Sequence, residues 1–148
     1  MLNQLRDVFA SFQKHNVKYV VIGGIAAILY GVPRATFDLD ILIEAKSDNV
    51  QRLLTALLDA GLGTASLTSV DDLLAHEITI FNDRVRIDVQ TTTPGLLFDK
   101  AWQARETMEY QGQGFYVVSR GDLLASKRAA GRAVDLEDVR LLELSAEE

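Results

Sequence analysis

The stretch VIGGIAAILYGVPRATFDLDILIE, from Val21 to Glu44, places two glycines at the end of an apolar run and two aspartates inside an apolar strand. Asp38 and Asp40 alternate with apolar neighbours, so both project from one face of the predicted strand. The opposite, apolar face is assigned to Phe37, Leu39 and Ile41. Two interpretations are open at this point. Either the carboxylates bind a metal ion together, or the strand is amphipathic and turns an acidic face to water.

The composition of the whole chain limits the kind of protein that can carry this strand. A length of 148 residues predicts one domain, residues 1–148, and 48% hydrophobic residues are enough for a buried core. The formal net charge of −6 argues against extended binding to DNA or RNA, which needs a basic surface. The chain has no cysteine, which excludes disulfides and thiolate metal sites and favours a reducing compartment.

The sequence shows no pattern typical of a membrane segment or a secretory signal. The longest uncharged run, from Tyr19 to Pro33, is shorter than the roughly 20 residues that a bilayer-spanning helix needs. The N-terminal residues carry charge within their apolar pattern and have no small-residue cleavage site. We therefore expect a cytoplasmic protein that does not associate with membranes.

Hydrophobic periodicity predicts helices and strands in a largely alternating order. Helices are predicted at 2–15, from Gly23 to Gly31, from an N-cap at Ser47 to Gly61, after Asp71–Asp72, at 119–132 and at 135–144. Strands are predicted at 17–22, at 37–44, at 77–81 and 84–91 joined by an Asn82–Asp83 turn, and as a pair around Gly112 and Gly114. This order predicts an α/β or α+β fold, a mixed sheet flanked by helices with further helices at the C-terminus.

The two strand aspartates have a candidate third partner in Asp88. Residues i and i+2 of a strand lie roughly 6.5–7 Å apart on one face, so the carboxylates of Asp38 and Asp40 can converge on one cation. Oxygen ligands favour Mg²⁺, which retains waters and is shared with substrate phosphates. In RVRIDVQ, residues 84–90, polar and apolar side chains alternate and place Asp88 on the polar face. A third carboxylate on a neighbouring strand would complete a two-metal site.

Gly23 and Gly24 form a candidate phosphate site. They lie between a predicted strand and a predicted helix, where backbone N–H groups are unpaired and the helix dipole is positive. Because glycine has no Cβ, a phosphate can approach this turn closely. A Gly-Gly pair alone more often marks a tight turn, and an Asp-x-Asp pattern alone more often marks a solvated strand face. Together, separated only by residues 25–37, they favour phosphoryl or nucleotidyl transfer.

This ordered combination resembles the signature of the polymerase-β-like nucleotidyltransferases. That signature is hydrophobic-Gly-Gly, then Asp-hydrophobic-Asp-hydrophobic, then a distant strand Asp, here Ile22-Gly23-Gly24, Asp38-Leu39-Asp40-Ile41 and Asp88. Within the superfamily, GGIAAILYGVPRATFDLDILI and the C-terminal LLASKRAAGRAVDLEDVRLL are most similar to small bacterial proteins of the abortive-infection and toxin–antitoxin type. The resemblance covers residues 17–142, and the segments 61–76 and 91–118 match no motif.

The resemblance implies a role for each residue of the signature. Gly23 and Gly24 would hold the triphosphate of an NTP, ATP among the candidates. Asp38 and Asp40 would bind the metal ions. Asp88 would bind one metal and deprotonate the acceptor hydroxyl. Many active members have Gly-Ser at the turn, where this chain has Gly-Gly.

Three further side chains are candidate nucleotide ligands by the same resemblance. Arg34 and Thr36 precede the metal strand, and Lys127 lies on a C-terminal helix, so all three would contact phosphate oxygens. For Arg34 and Lys127 a structural ion pair is the alternative. A separate charged group is interpreted as a helix–helix junction held by charge pairs, and it consists of Arg132, Asp135 and Asp138.

The predicted function is Mg²⁺-dependent transfer of a nucleoside monophosphate from an NTP to a hydroxyl of a protein, tRNA or small molecule. The resemblance suggests a toxin–antitoxin or phage-defence setting, with a cognate partner protein or a tRNA acceptor. Two alternatives remain open: a degenerate module that keeps the fold and binds a partner protein, and a small-molecule (antibiotic) adenylyltransferase. Catalysis requires that the carboxylates of Asp38, Asp40 and Asp88 converge.

Overall fold

Strands that carry the acidic residues lie inside one six-stranded sheet. The computed structural model describes residues 2–147. Its strands are β1 (Tyr19–Ile22), β2 (Asp38–Ile43), β3 (Ile78–Asn82), β4 (Arg86–Gln90), β5 (Glu106–Tyr110) and β6 (Gln113–Val117). Its α-helices are α1 (Leu2–Lys14), α2 (Gly23–Leu29), α3 (Ser47–Asp59), α4 (Val70–Leu74), α5 (Phe98–Gln103), α6 (Arg120–Ala130) and α7 (Ala133–Glu147), and a 3-10 helix spans Gly63–Leu67.

The sheet is mixed, with strand order β3-β4-β2-β1-β6-β5. Strands β1 and β2 are antiparallel, and so are the hairpins β3/β4 and β5/β6. The pairs β2/β4 and β1/β6 are parallel. This arrangement confirms the predicted fold class, a mixed sheet flanked by helices with helices at the C-terminus. It also places the glycine turn and both acidic strands in the middle of the sheet, where neighbouring strands fix their register.

Helix α1 covers one end of the sheet with an apolar face. Leu5, Val8, Phe9 and Phe12 recur at helical spacing and are buried. The ring of Phe9 stacks on Phe115 of β6 with a centroid distance of 4.5 Å. Helix α3 packs against α1, while α2 packs on β1 and β2 and contacts α6, which in turn packs on α7. The two C-terminal helices thereby reach the glycine turn and the acidic strands.

The start of β2 differs from the prediction. Phe37 was assigned to the buried face of the strand, but it precedes β2 and its side chain is 84% exposed. The ladder to β4 begins at the pair Asp38 and Arg86, so Phe37 has no strand partner that would turn it toward the core. Leu39 and Ile41 are fully buried as predicted.

Helix caps and the hairpin turn also differ. Helix α3 includes Ser47, and its N-cap is Lys46, which makes no side-chain cap. Helix α4 is capped by Ser69, whose hydroxyl accepts a hydrogen bond from the backbone of Asp72, so the acids predicted to precede this helix lie inside it. In the β3/β4 hairpin Asn82 still pairs with Arg86, and residues 83–85 form the turn. The corrected bounds leave the order of elements unchanged.

Two short helices in the segments without motifs are not predicted from the sequence. The 3-10 helix lies within residues 61–76, and α5 lies within 91–118. Each has too few residues to display a hydrophobic period. Within residues 2–147, no helix combines the length and the apolar character that crossing a membrane requires.

Candidate active site

The carboxylates of Asp38, Asp40 and Asp88 converge at the centre of the sheet. Asp38 and Asp40 share one face of β2, and Asp88 lies beside Asp40 on the parallel strand β4. One oxygen from each of the three carboxylates lies within 4.8 Å of the other two. The parallel register produces this cluster, because neighbouring residues of paired strands project from the same face. An acidic triad of this kind can bind a metal ion.

The three carboxylates repel one another in a partly desolvated setting. Burial, followed by the charges of Asp38 and Asp88, raises the pKa of Asp40 to about 7. Lys127 and Arg86 oppose this rise only in part. All donors are carboxylate oxygens, which suit a hard divalent cation such as Mg²⁺ better than a thiophilic metal.

Gly23 makes room for the Asp40 carboxylate. Its backbone has a φ of +68°, and a Cβ at this position would lie 2.3 Å from Oδ2 of Asp40. A side chain is therefore excluded both by the left-handed conformation and by the metal-site carboxylate. At Gly24 a Cβ would lie 3.1 Å from Oγ1 of Thr36 and 3.3 Å from Nη2 of Arg34. The close packing of these neighbours is thus a structural reason for glycine at positions 23 and 24, in addition to the predicted phosphate contact.

Thr36 and Arg34 are bonded to acidic side chains. The Thr36 hydroxyl donates to Oδ1 of Asp38 at 3.2 Å and so orients the first of the three acids. Arg34 donates from Nε and Nη2 to the two carboxylate oxygens of Asp138 on α7, at 3.1 and 2.8 Å. The contacts of both residues with a nucleotide stay predictions.

Lys127 lies in a buried charge cluster between α6 and α7. Its side chain is 6% exposed, and its Nζ lies 2.8 Å from Asp138 and 3.7 Å from Asp135. Arg132 bonds Asp135 at 2.7 Å. Asp135 and Asp138 of α7 join α6 through their charge pairs with Lys127, as a helix–helix junction requires, whereas Arg132 lies between the two helices and pairs with Asp135 three residues further on. Arg34 and Lys127 belong to the same cluster. Both therefore form structural ion pairs, the alternative to a phosphate contact.

The cluster keeps the α7 carboxylates ionised. Burial alone would raise the pKa of Asp138, but hydrogen bonds from Arg34 and Lys127 hold it below its usual value. Burial also opposes the ionisation of Asp135, and the hydrogen bond from Arg132 lowers the pKa of that carboxyl. These acids therefore fix the ends of the basic side chains that border the three strand carboxylates.

Arg86 is a site residue that the sequence reasoning missed. It donates from Nε and Nη2 to the two oxygens of Asp88, at 3.0 and 3.2 Å. The alternation in RVRIDVQ indicates that Arg86 is a neighbour of Asp88, because residues 86 and 88 share the polar face of the strand. This guanidinium is bonded to both oxygens of the third carboxylate.

All eight predicted site residues line one cleft of about 420 Å³. They are Gly23, Gly24, Arg34, Thr36, Asp38, Asp40, Asp88 and Lys127. The cleft also has an apolar wall that no motif predicts, to which Ile78 of β3 and Val134 of α7 contribute. A second cavity, of about 440 Å³, is lined by aromatic residues including Tyr19, Trp102 and Tyr116 and by no acidic side chain. The slightly smaller acidic cleft is therefore the candidate active site.

Known proteins resemble this chain in both sequence and fold. Residues 2–147 match a family model described as "Nucleotidyltransferase of unknown function (DUF6036)". Among solved structures, the chain is similar to an antigenic nucleotidyltransferase-like protein from Paracoccidioides brasiliensis, with a TM-score of 0.61 and 18% sequence identity over 93% of this chain and 72% of that chain. At that identity the likeness shows the fold alone. No curated protein shows a significant match.

Proposed function

The chain belongs to the DUF6036 family of nucleotidyltransferases, and from this premise we propose that it transfers a nucleoside monophosphate from an NTP to a hydroxyl group. The observation that carries the proposal is the convergence of three carboxylates in a cleft that also contains the glycine turn. A cleft of about 420 Å³ falls in the range of small-molecule sites.

A divalent cation fits the acidic cluster. Asp38, Asp40 and Asp88 would hold it, because their oxygens converge and because their mutual repulsion needs a positive charge to offset it. When bound, Mg²⁺ ions neutralise the leaving pyrophosphate and lower the pKa of the acceptor hydroxyl. The Thr36 hydroxyl keeps Asp38 oriented, and Gly23 leaves Asp40 the space it occupies.

The proposed reaction is a displacement at the α-phosphorus. The acceptor oxygen forms a bond to phosphorus, the bond from phosphorus to the bridging oxygen breaks, and pyrophosphate leaves with the electron pair. The acceptor proton passes to the carboxylate of Asp88. Backbone N–H groups at Gly23 and Gly24 would bind the triphosphate, with Arg34 and Lys127 at its border.

A second candidate function is favoured by the ion pairs of the basic side chains. Arg34 and Lys127 are both bonded to Asp138, so the charge of each is already balanced within the protein. A domain that keeps the fold without catalysis would leave these pairs intact and would act by binding a partner protein, such as a cognate toxin or antitoxin in the cytoplasm.

Nucleotide titration separates the two candidates. We would titrate MgATP, MgGTP, MgCTP and MgUTP calorimetrically into the wild type, into Asp38→Ala/Asp40→Ala, and into Asp71→Ala, an exposed acid outside the cleft. The proposal expects binding that requires Mg²⁺, that the double variant loses and that the control keeps. Binding that survives in the double variant contradicts the metal site, and absence of binding to any nucleotide supports the partner-binding module.

A further inference from the structure

Strand β3 forms an open edge of the sheet on the side of the third acid. It pairs only with β4, and no strand of residues 2–147 lies beyond it. The backbone N–H of Thr91 donates to the carbonyl of Glu77 at 2.9 Å, one residue before β3. Because these groups alternate along a strand, Ile78, Ile80 and Asn82 point their N–H and C=O groups away from β4. No hydrogen bond from the described residues reaches those groups.

The side chains of this edge face the acidic cleft. Ile80 lies opposite Asp88, and Ile78 lies opposite Gln90, so both isoleucines share the face of the third acid. Ile78 is 51% exposed and Ile80 is 53% exposed, whereas Phe81 on the other face is buried. An edge strand with apolar side chains and unpaired backbone groups is a template for another strand.

The charges around this edge favour a polypeptide over a nucleic acid. No residue of β3 is basic, and Glu77 precedes it. Nucleic-acid binding needs basic side chains that are available to phosphates. The four basic residues of the cleft are each bonded to an aspartate, namely Arg34, Arg86, Lys127 and Arg132. The edge therefore offers main-chain hydrogen bonds and apolar contact, which an extended peptide uses.

We propose that the acceptor of the transfer is an extended polypeptide segment that adds to β3 as a seventh strand. The proposal rests on the nucleotidyl transfer argued above. A residue placed opposite Ile80 on the added strand lies two strand spacings, about 10 Å, from the backbone of Asp88. A Tyr side chain at this position is long enough to extend over Ile80 toward the acids, whereas a Ser or Thr hydroxyl stays close to its own backbone and too far from Asp88. The Tyr hydroxyl oxygen bonds to the α-phosphorus, its proton passes to Asp88, and pyrophosphate leaves.

The acceptor class is tested with NTPs labelled at the α-phosphate. The wild type and Mg²⁺ are incubated with a degenerate library of short unstructured peptides containing one Ser, Thr or Tyr and, separately, with total tRNA. Label in the Tyr peptides supports the proposal, and label confined to tRNA or to the Ser and Thr peptides overturns it. Nucleotide binding is measured calorimetrically beforehand. Its absence overturns the transferase assignment itself, whereas nucleotide binding without any labelled peptide overturns strand addition alone.

The edge itself is tested by a matched pair of variants. Ile80→Asn replaces the apolar side chain on which the added strand packs with an uncharged polar one, and we expect it to lower peptide labelling about tenfold while Mg·NTP binding is retained. Leu58→Asn makes the same kind of change at a similarly exposed position on α3, 46% exposed and outside the cleft, and should label peptides like the wild type. Equal labelling by the two variants overturns the proposal.

Amide hydrogen exchange provides a readout that does not depend on turnover. A labelled peptide from the library is added with Mg²⁺ and a non-hydrolysable NTP analogue. Strand addition slows exchange of the amides of Ile78, Ile80 and Asn82, which are open in the free protein. The amides of Thr79 and Phe81 already face β4 and should change little. Protection without this alternation, or protection elsewhere only, overturns the proposal.

Discussion

At the residue scale, Gly23 and Gly24 differ in what a methyl group would meet. At Gly23 it would meet Oδ2 of Asp40 at 2.3 Å, in a backbone conformation with φ +68°. At Gly24 the nearest atoms, on Thr36 and Arg34, belong to side chains and begin at 3.1 Å. We expect Gly23→Ala to lower the free energy of unfolding by about 1–3 kcal/mol and to weaken Mg²⁺ binding, because both backbone and ligand are strained.

The matched variant Gly24→Ala should retain Mg²⁺ binding and most of the stability, since the side chains of Thr36 and Arg34 need to move by only a few tenths of an ångström. Urea denaturation and Mg²⁺ titration of both variants measure the difference. Equal effects of the two substitutions would show that the contact with the Asp40 carboxylate does not make Gly23 more sensitive than Gly24.

The carboxyl of Asp40 makes stability depend on pH. Its pKa is raised to about 7 in the folded protein, compared with about 3.9 in an unfolded chain. A raised carboxyl pKa stabilises the fold fully below the unfolded pKa, and this contribution is lost as the pH rises from about 4 through 7. Asp40→Asn should therefore gain up to about 4 kcal/mol of stability relative to the wild type at pH 8, and almost none near pH 4.

Thermal or urea unfolding at the two pH values tests this, with Asp71→Asn as an exposed control. Saturating Mg²⁺ should narrow the gap between wild type and Asp40→Asn at pH 8, because the cation offsets the repulsion that the variant removes. A gain that is the same at both pH values would exclude ionisation of Asp40 as its cause.

Individual residues of the site were predictable to different degrees. The three strand acids follow from alternation with apolar neighbours, and the structure brings them together. The contact of Arg86 with Asp88 depends on the side-chain conformation of Arg86, which sequence spacing does not specify. Phe37 continues the alternating pattern but lies outside the strand, because the ladder between β2 and β4 begins one residue later.

At the scale of elements, α7 is attached to the site by buried charge pairs. Asp138 accepts hydrogen bonds from Arg34 and lies 2.8 Å from Nζ of Lys127, with both carboxylate and ammonium groups almost fully buried. Asp138→Asn should lower the free energy of unfolding at pH 7 by about 3 kcal/mol, because it takes from the buried Lys127 ammonium the nearer of its two counter-ions. The pair of Arg128 with Glu143 is half exposed, so Glu143→Gln should cost less than about 1 kcal/mol.

Urea denaturation of the two variants over a range of pH provides the measurement. The pKa of Asp138 is lowered in the folded protein, so its contribution is present above the unfolded pKa and is lost as the pH falls through the folded pKa. The wild type and Asp138→Asn should therefore converge in acid. Similar losses of unfolding free energy for Asp138→Asn and Glu143→Gln at pH 7 would mean that burial does not strengthen the ion pairs of Asp138.

The existence of the long elements was predictable, and their ends were not. Helix α1 displays its apolar face over thirteen residues, so its period is clear. The N-cap of α4 is Ser69 because its hydroxyl meets the backbone N–H of Asp72, a contact that depends on local dihedral angles. Asp71 and Asp72 are residue types that often cap helices, but they lie two and three residues after the actual cap. Short elements such as α5 have no period to detect.

At the scale of the whole molecule, strand order was the least predictable feature. The sheet joins β1 to β6, whose paired residues Val21 and Val117 are far apart in the sequence. Periodicity shows which face of a strand is buried and carries no information on which strand lies beside it. The acids converge only because β2 and β4 are parallel neighbours. The motif resemblance, rather than the periodicity, made that arrangement an expectation.

The overall charge predicts weak nucleic-acid binding. The net charge is −6, and the basic side chains of the cleft are paired with aspartates. We expect Kd values weaker than about 100 μM for tRNA and for duplex DNA at physiological salt, since few counter-ions would be released. Fluorescence anisotropy over a range of salt concentrations measures this, with Mg·NTP binding as the check on folded protein. Micromolar binding with a steep salt dependence would contradict the prediction.

The only tryptophan of the chain lines the second cavity and not the acidic cleft. Trp102 meets Tyr116 edge-on with a centroid distance of 5.1 Å, and the Arg105 guanidinium lies 3.7 Å from the centre of its ring. Tyr19, the first residue of β1, lines the same cavity as Trp102. The glycine turn begins after Ile22, the last residue of β1, and so lies at the opposite end of this strand. The indole is thus an intrinsic fluorophore that does not line the acidic cleft. Its emission, excited where nucleotides do not absorb, should follow unfolding alone and thereby record the stability of free and nucleotide-bound protein without any label.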